Sequence, residues 1–216
     1  MKKSMYSLIL MDDVVREVDK LAQAQNTNRS NLINQILAEY VSFITPEKRI
    51  STIFNYIDAL IGNNTFNSFI SPNDRTMSLK SSLDYKYRPT IKYEVELYRS
   101  YEQTIGELKI VFRTQSVQLL YKLSDFFHMW TQMEKIYLKN INHKQFVEYS
   151  FENGKITRTF VLPSEREYDT EEIAKAISDY IMMIDDIIKA YLSDNHVSIS
   201  SIEKRYINYL NSSIIL

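Results

Sequence analysis

The pattern of hydrophobic and polar residues is most regular in the first 45 positions of the chain. Residues 5–11 alternate with a period of two, which predicts a β-strand. Val14, Val18 and Leu21 follow with helical spacing, and after a polar break at 25–30 a second apolar stripe extends over 32–41. One strand and two helices of this size cannot bury a hydrophobic core alone. The segment is therefore expected to need a partner, and two copies that pair their strands would provide one.

Residues at the predicted helix ends favour these boundaries. Asp12 or Asp13 can cap the first helix, and both acids suit its positive N-terminus. Ser30 is the predicted N-cap of the second helix, and Pro46 begins a third helix over 46–62. Residues 63–75 contain Asn-Asn, Ser-Pro and Asn-Asp pairs and are predicted to form a loop.

From residue 76 the pattern is that of an α+β domain with an antiparallel sheet packed by helices. Alternating segments predict strands, long 3.6-period segments predict helices, and Asn-Gly at 153–154 predicts a tight hairpin. The chain is accordingly divided into 1–45, a helix and linker at 46–75, and a second domain at 76–216. The strands are placed at 77–85, 90–98, 106–114, 145–151 and 155–162, and the helices at 116–138, 169–193 and 198–211.

Composition narrows the classes of function. The 216 residues carry a net charge of −1, so the whole molecule is no polycation, and residues 1–45 hold five basic and five acidic side chains. Cysteine is absent, which excludes disulfides and thiolate chemistry. The absence of a long apolar run argues against a membrane span, and Asp12-Asp13 interrupts the short apolar start too early for a signal peptide. A cytoplasmic protein with no membrane partner is expected.

Candidate catalytic or metal-binding groups do not converge in the sequence. His128, His143 and His196 are scattered without metal-ligand spacing, and serine-nucleophile and phosphate-loop motifs are absent. Asp185 and Asp186 are expected to be solvated on the outer side of a helix. No enzyme activity, metal or cofactor is predicted.

Two runs near the N-terminus carry a family resemblance. They are SLILMDDVVREVDKLA at 7–22 and NRSNLINQILAEYV at 28–41. Together they resemble a ribbon-helix-helix DNA-binding domain of the MetJ/Arc/CopG type over residues 4–45. The match covers about a fifth of the chain, and residues 76–216 resemble no family that we recognise.

The resemblance implies a homodimer whose paired strands lie in the major groove of double-stranded DNA. Tyr6, Leu8 and Leu10 would then face the core of the dimer, and Met5, Ser7 and Ile9 would face the base edges. The chain departs from the family because only Ser7 is polar among the outward residues, whereas base edges are read by donors and acceptors. The alternative is that this face packs against protein and that the fold serves only for dimerisation.

The family also binds a DNA phosphate at the start of its second helix, where free amides and the helix dipole attract an anion. The corresponding residues here are Asn28, Arg29, Ser30 and Asn31. An ordinary N-cap at Ser30 would explain the same residues without DNA. Lys2 and Lys3 could reach the DNA backbone, or could simply form a solubilising terminus.

The favoured hypothesis is a homodimeric, sequence-specific DNA-binding transcriptional regulator, a repressor or activator from a prokaryotic, plasmid or phage genome. Residues 76–216 would supply ligand sensing, partner binding or higher oligomerisation. The alternative is an antitoxin or another interaction protein whose C-terminal domain binds a protein partner. Within that domain Phe126, Phe127 and Trp130 are expected to form core, or else to line an apolar effector pocket.

Overall fold

A computed structural model describes most of the chain as two compact units, Met1–Arg49 (unit 1) and Ile50–Leu216 (unit 2). The described residues are 4–61, 66–70, 75–85, 88–100, 103–141, 147–152, 154–193 and 197–216. The protein is mixed α+β with an antiparallel sheet, which confirms the coarse fold class. Lys2, Lys3, Gly62, His143 and His196 lie outside the described residues.

Unit 1 contains two helices, α1 (Asp12–Ala24) and α2 (Arg29–Tyr40), and the start of α3 (Pro46–Ile61). Two predicted caps are wrong. Met11 occupies the N-cap of α1 without a side-chain hydrogen bond, and both acids lie inside the first turn, where they still favour the helix dipole. Asn28, not Ser30, caps α2, because its side chain accepts a hydrogen bond from the Asn31 amide at 2.9 Å.

Residues 4–11 precede α1 without forming a strand ladder within the described chain. The predicted ribbon joins two chains, so its formation stays a prediction.

Unit 2 is built on a six-stranded, wholly antiparallel sheet with the order β1-β2-β3-β4-β6-β5. Strands and helices follow one another as the hydrophobic periods predict, apart from β1. The strands are β1 (Asn67–Ile70), β2 (Thr76–Ser82), β3 (Thr90–Leu97), β4 (Thr104–Arg113), β5 (Tyr149–Glu152) and β6 (Lys155–Val161), and the helices after α3 are α4 (Val117–Ile141), α5 (Thr170–Leu192) and α6 (Ile199–Ser212).

β1 corrects the prediction of a loop over 63–75. The segment Asn67–Ile70 pairs with β2 in antiparallel register, from Asn67 opposite Lys80 to Ile70 opposite Met77. Turn-forming pairs on either side concealed a four-residue edge strand whose stability comes from its neighbour, not from its own composition.

The sheet presents one buried face to the helices and one charged face outward. Alternate residues of β3 and β4 are buried, and the helical side is filled by apolar and aromatic groups, including Phe126, Phe127 and Trp130 as predicted for core. On the outer face Lys109 binds Glu96 across the strands at 2.9 Å. At Gly106 a Cβ would lie 2.1 Å from the Glu96 carbonyl oxygen, so β4 approaches β3 at a point that admits no side chain.

Candidate functional site

The six outward and inward positions of the predicted ribbon are all solvent-exposed in the single chain. Exposure falls along the inward set, from 85% at Tyr6 to 62% at Leu8 and 41% at Leu10. The outward residues Met5 and Ile9 are exposed to 97% and 103%, and Ser7 is exposed as well. The two predicted faces therefore differ in exposure within the single chain.

The predicted phosphate-binding residues come together at the start of α2. Asn28, Arg29, Ser30 and Asn31 are all exposed there. The Asn28 side chain accepts a hydrogen bond from the Asn31 amide. The amides of Arg29 and Ser30 lie in the first turn, where an α-helix provides no acceptor for them. The local geometry is thus that of a capped helix N-terminus with two backbone donors directed outward.

Arg29 is bound to Asp19, a partner that the sequence pattern does not indicate. Its Nε donates to one Asp19 carboxylate oxygen at 2.7 Å and its terminal nitrogen to the other at 2.5 Å. The hydrogen bond with Arg29 lowers the pKa of Asp19 and raises the pKa of Arg29. The pair links α1 to the first turn of α2. The separation of ten residues across a turn left no periodic signal from which it could have been predicted.

Besides Arg29, three more basic side chains of unit 1 lie beside acids of the same unit. Arg16 binds Asp13 and Lys20 binds Glu17, the latter at 2.7 Å, while Lys48 at the start of α3 lies 3.8 Å from Glu39. These pairs are exposed, so each contributes little to stability. Each of these cations has an acid beside it in the single chain.

Unit 1 leaves most of its large apolar side chains exposed. Its described residues bury only Ala22, Leu32 and Ala38 among apolar side chains, and one face of α1 forms a shallow apolar groove at Val14, Val18 and Leu21. Fourteen large apolar side chains are exposed. They are Met5, Tyr6, Leu8, Ile9, Leu10, Met11, Val14, Leu21, Ile36, Leu37, Tyr40, Val41, Phe43 and Ile44.

Unit 2 contains a buried ion pair between α4 and β6. Arg158 donates to Glu134 from Nε at 3.1 Å and from a terminal nitrogen at 2.7 Å, and it also donates to the Leu216 carbonyl oxygen. The second Glu134 oxygen accepts from Tyr149 at 2.5 Å and from Tyr180 at 3.1 Å. Burial would lower the pKa of Arg158, but the charge of Glu134 outweighs it and holds the pKa well above its ordinary value.

A second polar cluster lies between α5 and the sheet, and it corrects the expectation that Asp185 is solvated. Asp185 is buried, accepts from Tyr93 at 2.9 Å and from Ser81 at 3.1 Å, and lies 2.6 Å from the Lys189 ammonium. Asp186 is exposed, as expected. Burial, followed by the charge of Asp185, raises the pKa of Tyr93 well above its ordinary value. Glu134 and Asp185, the two buried acids among the described residues of unit 2, thus accept hydrogen bonds from neighbouring donors, as in a structural network.

No protein-family model, curated protein or solved structure matches this chain. No helix of the described chain is both long enough and apolar enough to cross a membrane. Within the same residues, no group of three or more His, Asp or Glu side chains is placed to hold a metal ion.

Proposed function

We propose that the protein is a homodimeric, sequence-specific DNA-binding regulator in which residues 4–11 of two chains pair as an antiparallel ribbon. The observation that carries the proposal is the exposed apolar surface of unit 1. Among its described residues fourteen large apolar side chains are exposed, and the buried apolar side chains are Ala22, Leu32 and Ala38. A second copy of the chain presents the same apolar surface. In a two-fold dimer the two copies of this surface would pack against each other and form a shared core.

The difference between the two faces of residues 4–11 supports the orientation of the ribbon. Tyr6, Leu8 and Leu10 become progressively less exposed toward α1, and this face would join the apolar side of the helices in the dimer. Met5, Ser7 and Ile9 would then face away from that side and lie in the major groove. The outward amides of Arg29 and Ser30 would bind a phosphate beside the groove.

Dimerisation is tested by the same substitution at two neighbouring positions. Leu8→Glu places a charge in the proposed core, whereas Ile9→Glu places it on the DNA-facing side. Sedimentation equilibrium should give a dimer for the wild type and for Ile9→Glu, and a monomer for Leu8→Glu. A wild-type chain that remains monomeric at tens of micromolar would contradict the proposal.

DNA recognition is tested by selection of bound fragments from a random duplex library, followed by titration of the selected sequence at several salt concentrations. The wild type should enrich a defined sequence and lose affinity steeply as salt rises, since phosphate contacts release counterions. Ser7→Ala should reduce sequence discrimination, and Arg29→Ala should weaken binding to all sequences. Ser4→Ala and Arg16→Ala are the matched controls and should bind as the wild type does.

A second candidate is a protein-interaction module, such as an antitoxin, that uses the same dimer. It is favoured by the apolar character of Met5 and Ile9 and by the pairing of Arg16, Lys20 and Arg29 with acids. A stable dimer that enriches no DNA sequence would support this function over the regulator.

A further inference from the structure

We propose that unit 2 binds a small, uncharged and largely apolar molecule in a cleft between α4 and the β5–β6 hairpin. The cleft has a volume of about 720 Å³. Ligand sites for small molecules occupy roughly 300–1,000 Å³ and are lined mainly by apolar and aromatic side chains. The inference concerns unit 2 alone and does not depend on whether unit 1 binds DNA.

The floor of the cleft is a fixed part of the core. Phe112, Leu123, Phe127 and Ile156 are buried, and the rings of Phe112 and Phe127 lie 5.6 Å apart at a tilted angle. These groups come from two strands and a long helix, so the floor of the cleft is formed before a ligand binds. Binding therefore requires little free energy to order the side chains of the floor.

The rim is apolar where a protein surface is ordinarily polar. Val117 and Tyr121 on α4 and Phe151 on β5 line the cleft, and each is more than half exposed. Unit 2 exposes eight large apolar side chains among its described residues, so three of them meet around one concavity. A ligand seated on the floor would cover all three, and this convergence distinguishes the cleft from scattered surface apolar residues.

The charges of the cleft select an uncharged ligand. Its lining has one basic and one acidic side chain, and these pair with each other, Lys155 with Glu152 at 2.7 Å. A charged ligand would lose hydration without gaining an unpaired counter-charge. Thr114 and Ser124 add hydroxyl groups to the wall, so a ligand hydroxyl or carbonyl has a hydrogen-bonding partner.

The experiment titrates the full-length chain with the neutral dye N-phenyl-1-naphthylamine and follows dye fluorescence. Ser124 is exposed on the cleft wall, so Ser124→Trp should fill the cleft and abolish one saturable site per chain. Asp125→Trp, the adjacent exposed position outside the lining, should retain that site. Dye that binds the apolar surface of unit 1 adds the same fluorescence to the wild type and to both variants, so it does not affect the difference between them.

Two further measurements test the chemistry of the site. Phe151→Ser removes part of the rim and should weaken dye binding about fivefold or more, since burial of an aromatic side chain is a major apolar contribution. The anionic dye 1-anilinonaphthalene-8-sulfonate should bind the cleft less tightly than the neutral dye. The proposal is overturned if the wild type shows no saturable site, if Ser124→Trp binds the neutral dye as the wild type does, or if the anionic dye binds the cleft more tightly.

Discussion

The two units of this protein distribute their apolar residues in opposite ways. In the described residues of unit 2, forty apolar side chains are buried and eight large ones are exposed, whereas unit 1 buries three and exposes fourteen. The sheet and helices of unit 2 cover one another, so its core is complete within one chain. The helices α1 and α2 of unit 1 have only 13 and 12 residues, and most of their large apolar side chains are exposed.

The difference teaches that a regular hydrophobic pattern does not ensure that a single chain buries the apolar residues of that pattern. Each large apolar side chain left in water forgoes about 1.5–3 kcal/mol of burial. A unit with fourteen such side chains gains far more from a partner than from any rearrangement of its own few helical turns. We therefore expect the stability of unit 1, but not of unit 2, to depend on association.

The largest expected effect is the response of unit 2 to alkaline pH. Burial raises the pKa of five of its tyrosines, namely Tyr93, Tyr149, Tyr180, Tyr206 and Tyr209. A folded pKa above the unfolded value stabilises the protein below about pH 10, and that stability is lost as pH rises, because the unfolded chain releases the protons. The free energy of unfolding should fall by up to about 7 kcal/mol per pH unit above pH 10, at about 1.4 kcal/mol for each tyrosine.

Absorbance at the tyrosinate band, recorded together with circular dichroism, checks this prediction. These five tyrosines, of which Tyr149 is half-buried and the other four are buried, should ionise only within the unfolding transition. Ionisation of buried tyrosines well before the loss of secondary structure would show that the core of unit 2 is open to water.

Removal of one partner of the buried ion pair should have the next largest effect. Glu134→Ala leaves the Arg158 guanidinium buried without its carboxylate and should lower the free energy of unfolding by about 3–5 kcal/mol. Urea denaturation followed by the fluorescence of Trp130, the single tryptophan, measures the loss in unit 2. The double variant Glu134→Ala/Arg158→Met removes both charges and should be more stable than Glu134→Ala alone. A single variant that costs less than the double variant would contradict this account.

Much of the fold of unit 2 was predictable because its pattern and its packing agree. Strict alternation in β3, and in β4 from Gly106 onward, indicates one buried face. Asp169 with Glu172 forms the capping box that starts α5. The misses share a cause. Asp185 reads as a surface acid on its helix, since the hydroxyls of Tyr93 and Ser81 that satisfy it come from distant strands. Residue spacing along one element contains no information about such partners.

The location of the candidate site in unit 1 stays a prediction, and its electrostatics could not be predicted from the sequence. In the single chain Tyr6, Leu8 and Leu10 are less exposed than Met5 and Ile9. The attachment of Arg29 to Asp19 depends on the angle at which α1 and α2 meet, which local sequence does not specify. Whether two chains pair depends on a surface that no single chain covers, so it stays a prediction.

If the stability of unit 1 depends on association, the two units should respond differently to protein concentration. Its unfolding free energy should rise by about 1.4 kcal/mol for each tenfold increase in protein concentration, since a dimer gains stability by mass action. Trp130 fluorescence reports unit 2 and should give a urea midpoint that does not change with concentration. The circular dichroism signal of the helices reports both units. It should show an additional transition whose urea midpoint rises with protein concentration. Two concentration-independent transitions would indicate that unit 1 is stable as a monomer.

The smallest expected effect concerns the ion pair that engages Arg29. Asp19→Asn keeps the size of the side chain and removes its charge, which frees the guanidinium for a DNA phosphate. An exposed pair of this kind is worth about 0.2–1 kcal/mol, so affinity for the selected duplex should rise about one and a half to fivefold. Its salt dependence should also steepen by about one phosphate contact. Fluorescence anisotropy titrations at several salt concentrations measure both quantities.

Asp13→Asn is the matched control, because it frees Arg16 on α1, away from the start of α2, and should leave affinity and salt dependence unchanged. An equal gain from both variants would mean that the added net positive charge acts on DNA at long range and that Arg29 has no special place. No gain from Asp19→Asn in a chain that does bind DNA would place the phosphate contact elsewhere in unit 1. Selective gain from Asp19→Asn would instead identify this acid as a built-in competitor that sets how tightly the dimer holds DNA.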